Sequence, residues 1–179
     1  MPQELEYSSK IKHLFEVVKI YDDVPTFLES IKDVPHPLLL LYATHFCLSE
    51  VHNGGFLQLF WNSTGVLLPE AVDGYKALGM AKLAGILTSA ATCLGSSYAR
   101  NREDRWDALL QASGRTENEL ATIFERAENL YLGYEEATST LPFGALNNQA
   151  WKLAKSENGG FQERAGSYAA MLGPQLNKL

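Results

Sequence analysis

The stretch THFCLSEVHNGGFLQLFWNSTG, residues 44–65, decides how this chain folds. Its first part closes an apolar run with helical spacing, and its last part opens another that is rich in aromatics. Between the two stand Asn53, Gly54 and Gly55. Each glycine weakens a helix interior by roughly 1 kcal/mol relative to alanine. A glycine pair between two apolar runs therefore marks a junction where the backbone turns or closely approaches another element. The reading is helix, corner, helix. Phe56, Leu59 and Phe60 form the new inward face, Trp61 flanks it, and Gly65 is placed to end the second helix in a left-handed conformation.

Upstream, Leu38 to His52 is apolar over its first half, which predicts a central helix that becomes half exposed towards the corner. Leu41, Thr44 or His45, Leu48 and Val51 mark its repeating face. Val34-Pro35-His36-Pro37 is a strong breaker before it. Ser8 to Tyr21 predicts a first helix with Ile11, Leu14, Phe15 and Val18 inward. Pro25 then opens a short second helix through Ile31, with Phe27, Leu28 and Ile31 inward.

Downstream, Pro69 fits the first turn of a further helix. Residues 69 to 98 predict one bent helix or two that meet around Gly79 to Ala81, where several small residues admit a close neighbour. Asn101 can cap a helix that holds Trp106, Leu109 and Leu110. Thr116 and Glu119 have capping-box spacing ahead of the clearest amphipathic helix, with Leu120, Ile123, Phe124, Ala127, Leu130, Tyr131 and Tyr134 on one side. Asn158-Gly159-Gly160-Phe161 repeats the order of 53–56, a recurrence of helix-corner chemistry rather than a duplication. The whole is an all-α, compact multi-helix protein, expected to form a single domain over residues 1–179.

Composition narrows the function. At 179 residues and 46% apolar content, the chain can bury a sizeable core without disulfides or metal. Cys47 and Cys93 both lie in apolar helical patterns and read as buried thiols. No secretion signal and no membrane-length apolar run is visible, so the expectation is a cytoplasmic protein. The formal charge is −6 and unevenly spread. Residues 1–35 hold seven acids against four bases, and residues 101–140 hold nine acids against four bases. Residues 141–179 are net +2. This balance disfavours direct binding of nucleic acid, which calls for a basic footprint.

No chemistry-bearing constellation stands out. His45, Glu50 and His52 lack the spacing of a zinc-binding helix, and the glycine pair follows a helix, so it is not a phosphate loop. No cofactor and no metal is expected. The corner residues Glu50, His52 and Asn53 are expected to satisfy backbone groups at Gly54 and Gly55. The alternative is a small-ligand pocket, binding or enzymatic, lined by His52, Asn53, Gln58 and Asn62. The stronger lead is an acidic stripe, Glu117, Glu125, Glu128, Glu135 and Glu136, along the amphipathic helix. An ordered row of carboxylates can imitate backbone phosphates and attract a basic protein. Glu16, Asp22, Asp23, Glu29 and Asp33 are candidates to extend that field.

One resemblance is specific. Ser49 to Gly65 carries the order Glu50-x-x-Asn53-Gly54-Gly55-Phe56-x-Gln58-x-Phe60-x-Asn62, which resembles the central signature of a bacterial DNA-mimic protein family built on a helical domain. Ala77-Leu78-Gly79 continues the likeness, which covers about residues 35 to 135. The resemblance implies a compact all-α fold, with Glu50 to Gly65 chiefly structural. It also implies a noncatalytic role: an acidic surface that binds a DNA-binding regulator and keeps it from DNA. Some relatives resemble antitoxin or immunity proteins, an alternative that also works by binding a protein.

Overall fold

A computed structural model describes residues 7–129 and 138–173, without the side chains of residues 126–129. Glu135 and Glu136 lie outside the described residues, as does the Glu128 side chain. No strand occurs among the described residues. The helices are α1 (Ser8–Ile11), α2 (Leu14–Val17), α3 (Val24–Ile31), α4 (His36–Trp61), α5 (Leu68–Ala77), α6 (Ala81–Thr92), α7 (Arg102–Ser113), α8 (Glu117–Asn129), α9 (Gly144–Ser156) and α10 (Phe161–Met171). Short 3-10 turns cover Ser63–Leu67 and Glu157–Gly159.

Helix α4 is the axis of the molecule. Residues 38 to 44 are buried without interruption, the pattern of a helix surrounded on every side. Helix α4 packs against α1, α5, α7, α8 and α9. Tyr75 of α5 donates its hydroxyl to the Thr44 carbonyl at 3.0 Å, which ties the two most closely packed helices together. Leu38, Leu41, Phe56, Leu57, Leu59 and Phe60 are fully buried, and each contributes about 1.5–3 kcal/mol of apolar transfer energy.

The corner lies inside α4. Gly54 takes φ −146°, ψ 20°, and Gly55 takes φ 70°, ψ −163°. The second pair of angles belongs to a region that only glycine occupies without strain. Gly160, at φ 89°, ψ 167°, adopts a similar conformation immediately before α10, whereas Gly159 (φ 93°) and Gly54 differ. The last glycine of each Asn-Gly-Gly-Phe therefore launches a helix from a buried phenylalanine, Phe56 or Phe161.

Several local expectations change. The first helix is two single turns, α1 and α2, separated at Lys12 and His13. Phe15 and Leu28, expected inward, are about half exposed. Gly65 is not left-handed; it sits in the 3-10 turn, and α4 ends at Asn62 in an extended conformation. Gly65 serves close approach instead. A Cβ there would lie 2.5 Å from the Leu59 carbonyl and 2.9 Å from Arg105 Nε. Residues 68–92 are two helices, broken at Gly79. Asn101 caps α7 by accepting from the N–H groups of Glu103 and Asp104. Thr116 and Glu119 form the reciprocal capping box at the start of α8.

Candidate functional site

The polar residues of the quoted stretch converge on one carboxylate. Glu50 accepts from Gln58 Nε2 at 2.7 Å and Asn62 Nδ2 at 2.9 Å on one oxygen, and from Thr64 Oγ1 at 2.9 Å on the other. These bonds bridge the kink, joining the last turns before it to the helix and 3-10 turn after it. The kink itself is satisfied from a distance. Asn147 of α9, fully buried, accepts the Phe56 N–H at 2.9 Å and donates to Thr138 Oγ1 at 2.9 Å. Neither Glu50 nor His52 supplies that contact, and Asn53 is exposed. The ring of His52 instead meets the edge of Trp151 at 4.0 Å, and its Nε2 is buried with no partner. Burial, with Lys155 nearby, pulls its pKa down to about 4.

The end of α4 is held by cations. Arg105 of α7 is fully buried and donates to the carbonyls of Phe60 (3.2 Å), Asn62 (2.7 Å) and Arg100. Trp61, between the first two, receives Arg102 Nε at 2.8 Å and Trp106 Nε1 at 3.0 Å. The free carbonyls and negative dipole end of a helix offset a buried guanidinium, although burial still pulls the pKa of Arg105 down. A buried arginine on carbonyls carries no local sequence signal, and the sequence reading missed it.

Beside this junction lies a half-open cleft of about 320 Å³. Ile20, Asp22, Asp23 and Val24 line it together with Ser63, Val66, Arg100, Asn101, Arg102, Glu103, Arg105 and Trp106. Its arginines are engaged. Arg100 pairs with both Glu70 oxygens at 2.6 and 2.9 Å and donates to Val66, while Arg102 lies over the Trp106 ring at 4.7 Å. His52, Asn53, Gln58 and Asn62 do not line this cleft.

The cleft brings two acidic regions together. Asp22 and Asp23 of the α2–α3 loop line the same hollow as Glu103 in the first turn of α7. Further along, Asp104, Asp107, Glu117 and Glu125 are exposed. Glu119 is also exposed, and its carboxylate is used by the capping box. Between residues 102 and 125 there are six acids and three arginines, and among those arginines Arg102 alone is exposed. Glu103, Asp104 and Asp107 lay outside the stripe expected from sequence, because their helix has no sharp amphipathic pattern.

Among the described residues, no group of three or more His, Cys, Asp or Glu side chains is arranged to hold a metal ion, and no helix is long and apolar enough to cross a membrane. Fold and site together define an all-α helical protein organised around a kinked central helix. The chain belongs to the DMP19-like protein family, whose sequence profile matches residues 32–168. That span holds the quoted stretch, the cleft's α7 wall and Asn147. No curated protein and no solved structure shows a match.

Proposed function

We propose that this chain is a noncatalytic protein-interaction module whose acidic face occupies the basic surface of a DNA-binding protein, in the manner of a DNA mimic. The observation that supports this most is the run of exposed carboxylates on α7 and α8, joined at the cleft by Asp22 and Asp23. Carboxylates on rigid helices hold fixed separations, so a basic surface meets an ordered field and not a diffuse cloud. The corner and the arginine-capped end of α4 do not react; they set the angle at which α7 stands beside the cleft.

Covalent capture from cell extract followed by mass spectrometry identifies the partner. A gel-shift assay with that partner and its DNA then tests the mechanism. The expected partner is a DNA-binding protein that is released from DNA as this chain is added. A partner that has no basic surface, or that stays on its DNA while bound to the chain, overturns it.

A further inference from the structure

The cleft beside the end of α4 carries both signs of charge: Asp22, Asp23 and Glu103 line it together with Arg100, Arg102 and Arg105. Arg100 is paired with Glu70, and all three nitrogens of the buried Arg105 guanidinium donate to carbonyls. Arg102 differs. It is exposed, its Nε is fixed on the Trp61 carbonyl at 2.8 Å, and its guanidinium lies over the Trp106 ring at 4.7 Å. Its Nη1 and Nη2 have no hydrogen-bond partner among the described residues. A guanidinium held at Nε and stacked on a ring presents those two groups in a set orientation, and such a fork matches a carboxylate.

The acids are available in the same way. Asp23 accepts the Thr26 N–H at 2.8 Å and so caps α3. The carboxylates of Asp22 and Glu103 have no partner, and no ion pair joins either of them to an arginine of the cleft. Three acids and three arginines select neither a plain cation nor a plain anion. A cation meets Arg102 as a like charge, and an anion meets Asp22 and Glu103 as like charges. A molecule that carries a carboxylate and an ammonium on one short frame satisfies both sets.

Size and shape narrow the ligand further. A volume of about 320 Å³ is near the lower end of the roughly 300–1,000 Å³ of small-molecule sites. The buried Ile20 and Val66 and the half-buried Val24 add an apolar part to the lining. Caps on α3 and α7, and the bonds that fasten Arg105 to the end of α4, set this lining before any ligand arrives. We infer that the cleft binds a small zwitterion, a free amino acid with an aliphatic side chain. Arg102 takes the carboxylate, Asp22 and Glu103 take the ammonium, and Ile20, Val24 and Val66 take the side chain. This site needs no protein partner, so it stands or falls apart from the acidic-face reading.

The test is calorimetric titration of the full chain at neutral pH with leucine and with its two halves, isopentylamine, which lacks the carboxylate, and 4-methylpentanoate, which lacks the ammonium. Leucine is expected to bind with a Kd below about 1 mM. Each half should bind about ten-fold more weakly or worse, since it leaves one set of charges unpaired. Arg102→Gln should bring leucine level with isopentylamine, and Asp22→Asn with Glu103→Gln should bring it level with 4-methylpentanoate. The ligand series on the wild-type chain decides by itself if Arg102→Gln lowers stability. No binding of leucine, a half that binds as tightly as leucine, or folded variants that keep the wild-type discrimination would each overturn the assignment.

Discussion

The side-chain oxygen of Asn147 accepts the backbone N–H of Phe56 at 2.9 Å, across 91 residues of chain. The central helix can kink at Gly55 because an amide from α9 stands where the lost helical acceptor would have been. A Cβ on Gly55 would lie 2.7 Å from that oxygen, in a backbone conformation that already excludes side chains. Replacing Asn147 with Ala leaves the buried Phe56 N–H unpaired and removes the bond to Thr138. The expected loss is about 2–3 kcal/mol in urea unfolding. Gly55→Ala is expected to cost more, about 3 kcal/mol or above, since strain and clash add. Wild-type stability in either variant would show that the kink does not depend on this contact.

Glu50 has three donors on its two oxygens. Glu50→Gln keeps the size but turns one acceptor into a donor that faces the donors Gln58, Asn62 and Thr64. A loss of about 1–3 kcal/mol follows, and a double-mutant cycle with Thr64→Val should give a coupling of about 1 kcal/mol. Additive effects of the two substitutions would remove Glu50 as the hub of these bonds.

Arg105→Lys tests the end of α4. One ammonium on a flexible stem cannot span the Phe60, Asn62 and Arg100 carbonyls as the planar guanidinium does. Stability should fall by about 2–4 kcal/mol, with early hydrogen exchange in α7. An unchanged melting temperature would contradict the capping role.

Acid sensitivity should follow His52. Its folded pKa of about 4 lies below the ordinary 6.5, so the folded state resists the proton that the unfolded chain accepts. The stability tied to this histidine is complete above pH 6.5 and is lost as pH falls from there towards 4. His45, also pulled down by burial, adds in the same direction. Thermal melts of wild type and His52→Gln between pH 7 and 4 should converge as pH drops; parallel curves would exclude His52 as a contributor.

How far the fold could be read depended on how local each determinant is. The Asn101 cap, the Thr116–Glu119 box, the break at Gly79 and the corner at Gly54 and Gly55 are set by residues within four positions of one another, and the sequence expectation matches the structure there. The partner of the corner did not emerge, because Asn147 lies on a different helix and looks like any exposed amide. Arg105 did not emerge for a related reason: nothing near it in sequence marks a charge that a helix end surrounds. Gly65 looked like a helix terminator because glycine usually is one, and the cause of its presence, the approach of Arg105, is again distant in sequence. Phe15 fitted an inward face, but α1 and α2 are too short to keep one helical phase; on α3, Phe27 is fully buried while its neighbour Leu28 is turned half out. Of the acidic stripe, Glu117 and Glu125 are exposed on α8, while Asp22, Asp23 and Glu103 became neighbours only through the fold.

The salt dependence of partner binding tests the central claim most directly. With the captured partner, log Kd is measured against log salt for the wild-type chain and for a variant carrying Glu103→Gln, Asp107→Asn, Glu117→Gln and Glu125→Gln. An acidic docking face gives a steep slope for the wild type, a slope clearly flattened in the variant, and affinity reduced about ten-fold or more at low salt with helicity retained. Equal affinities and equal slopes for the two proteins would contradict it.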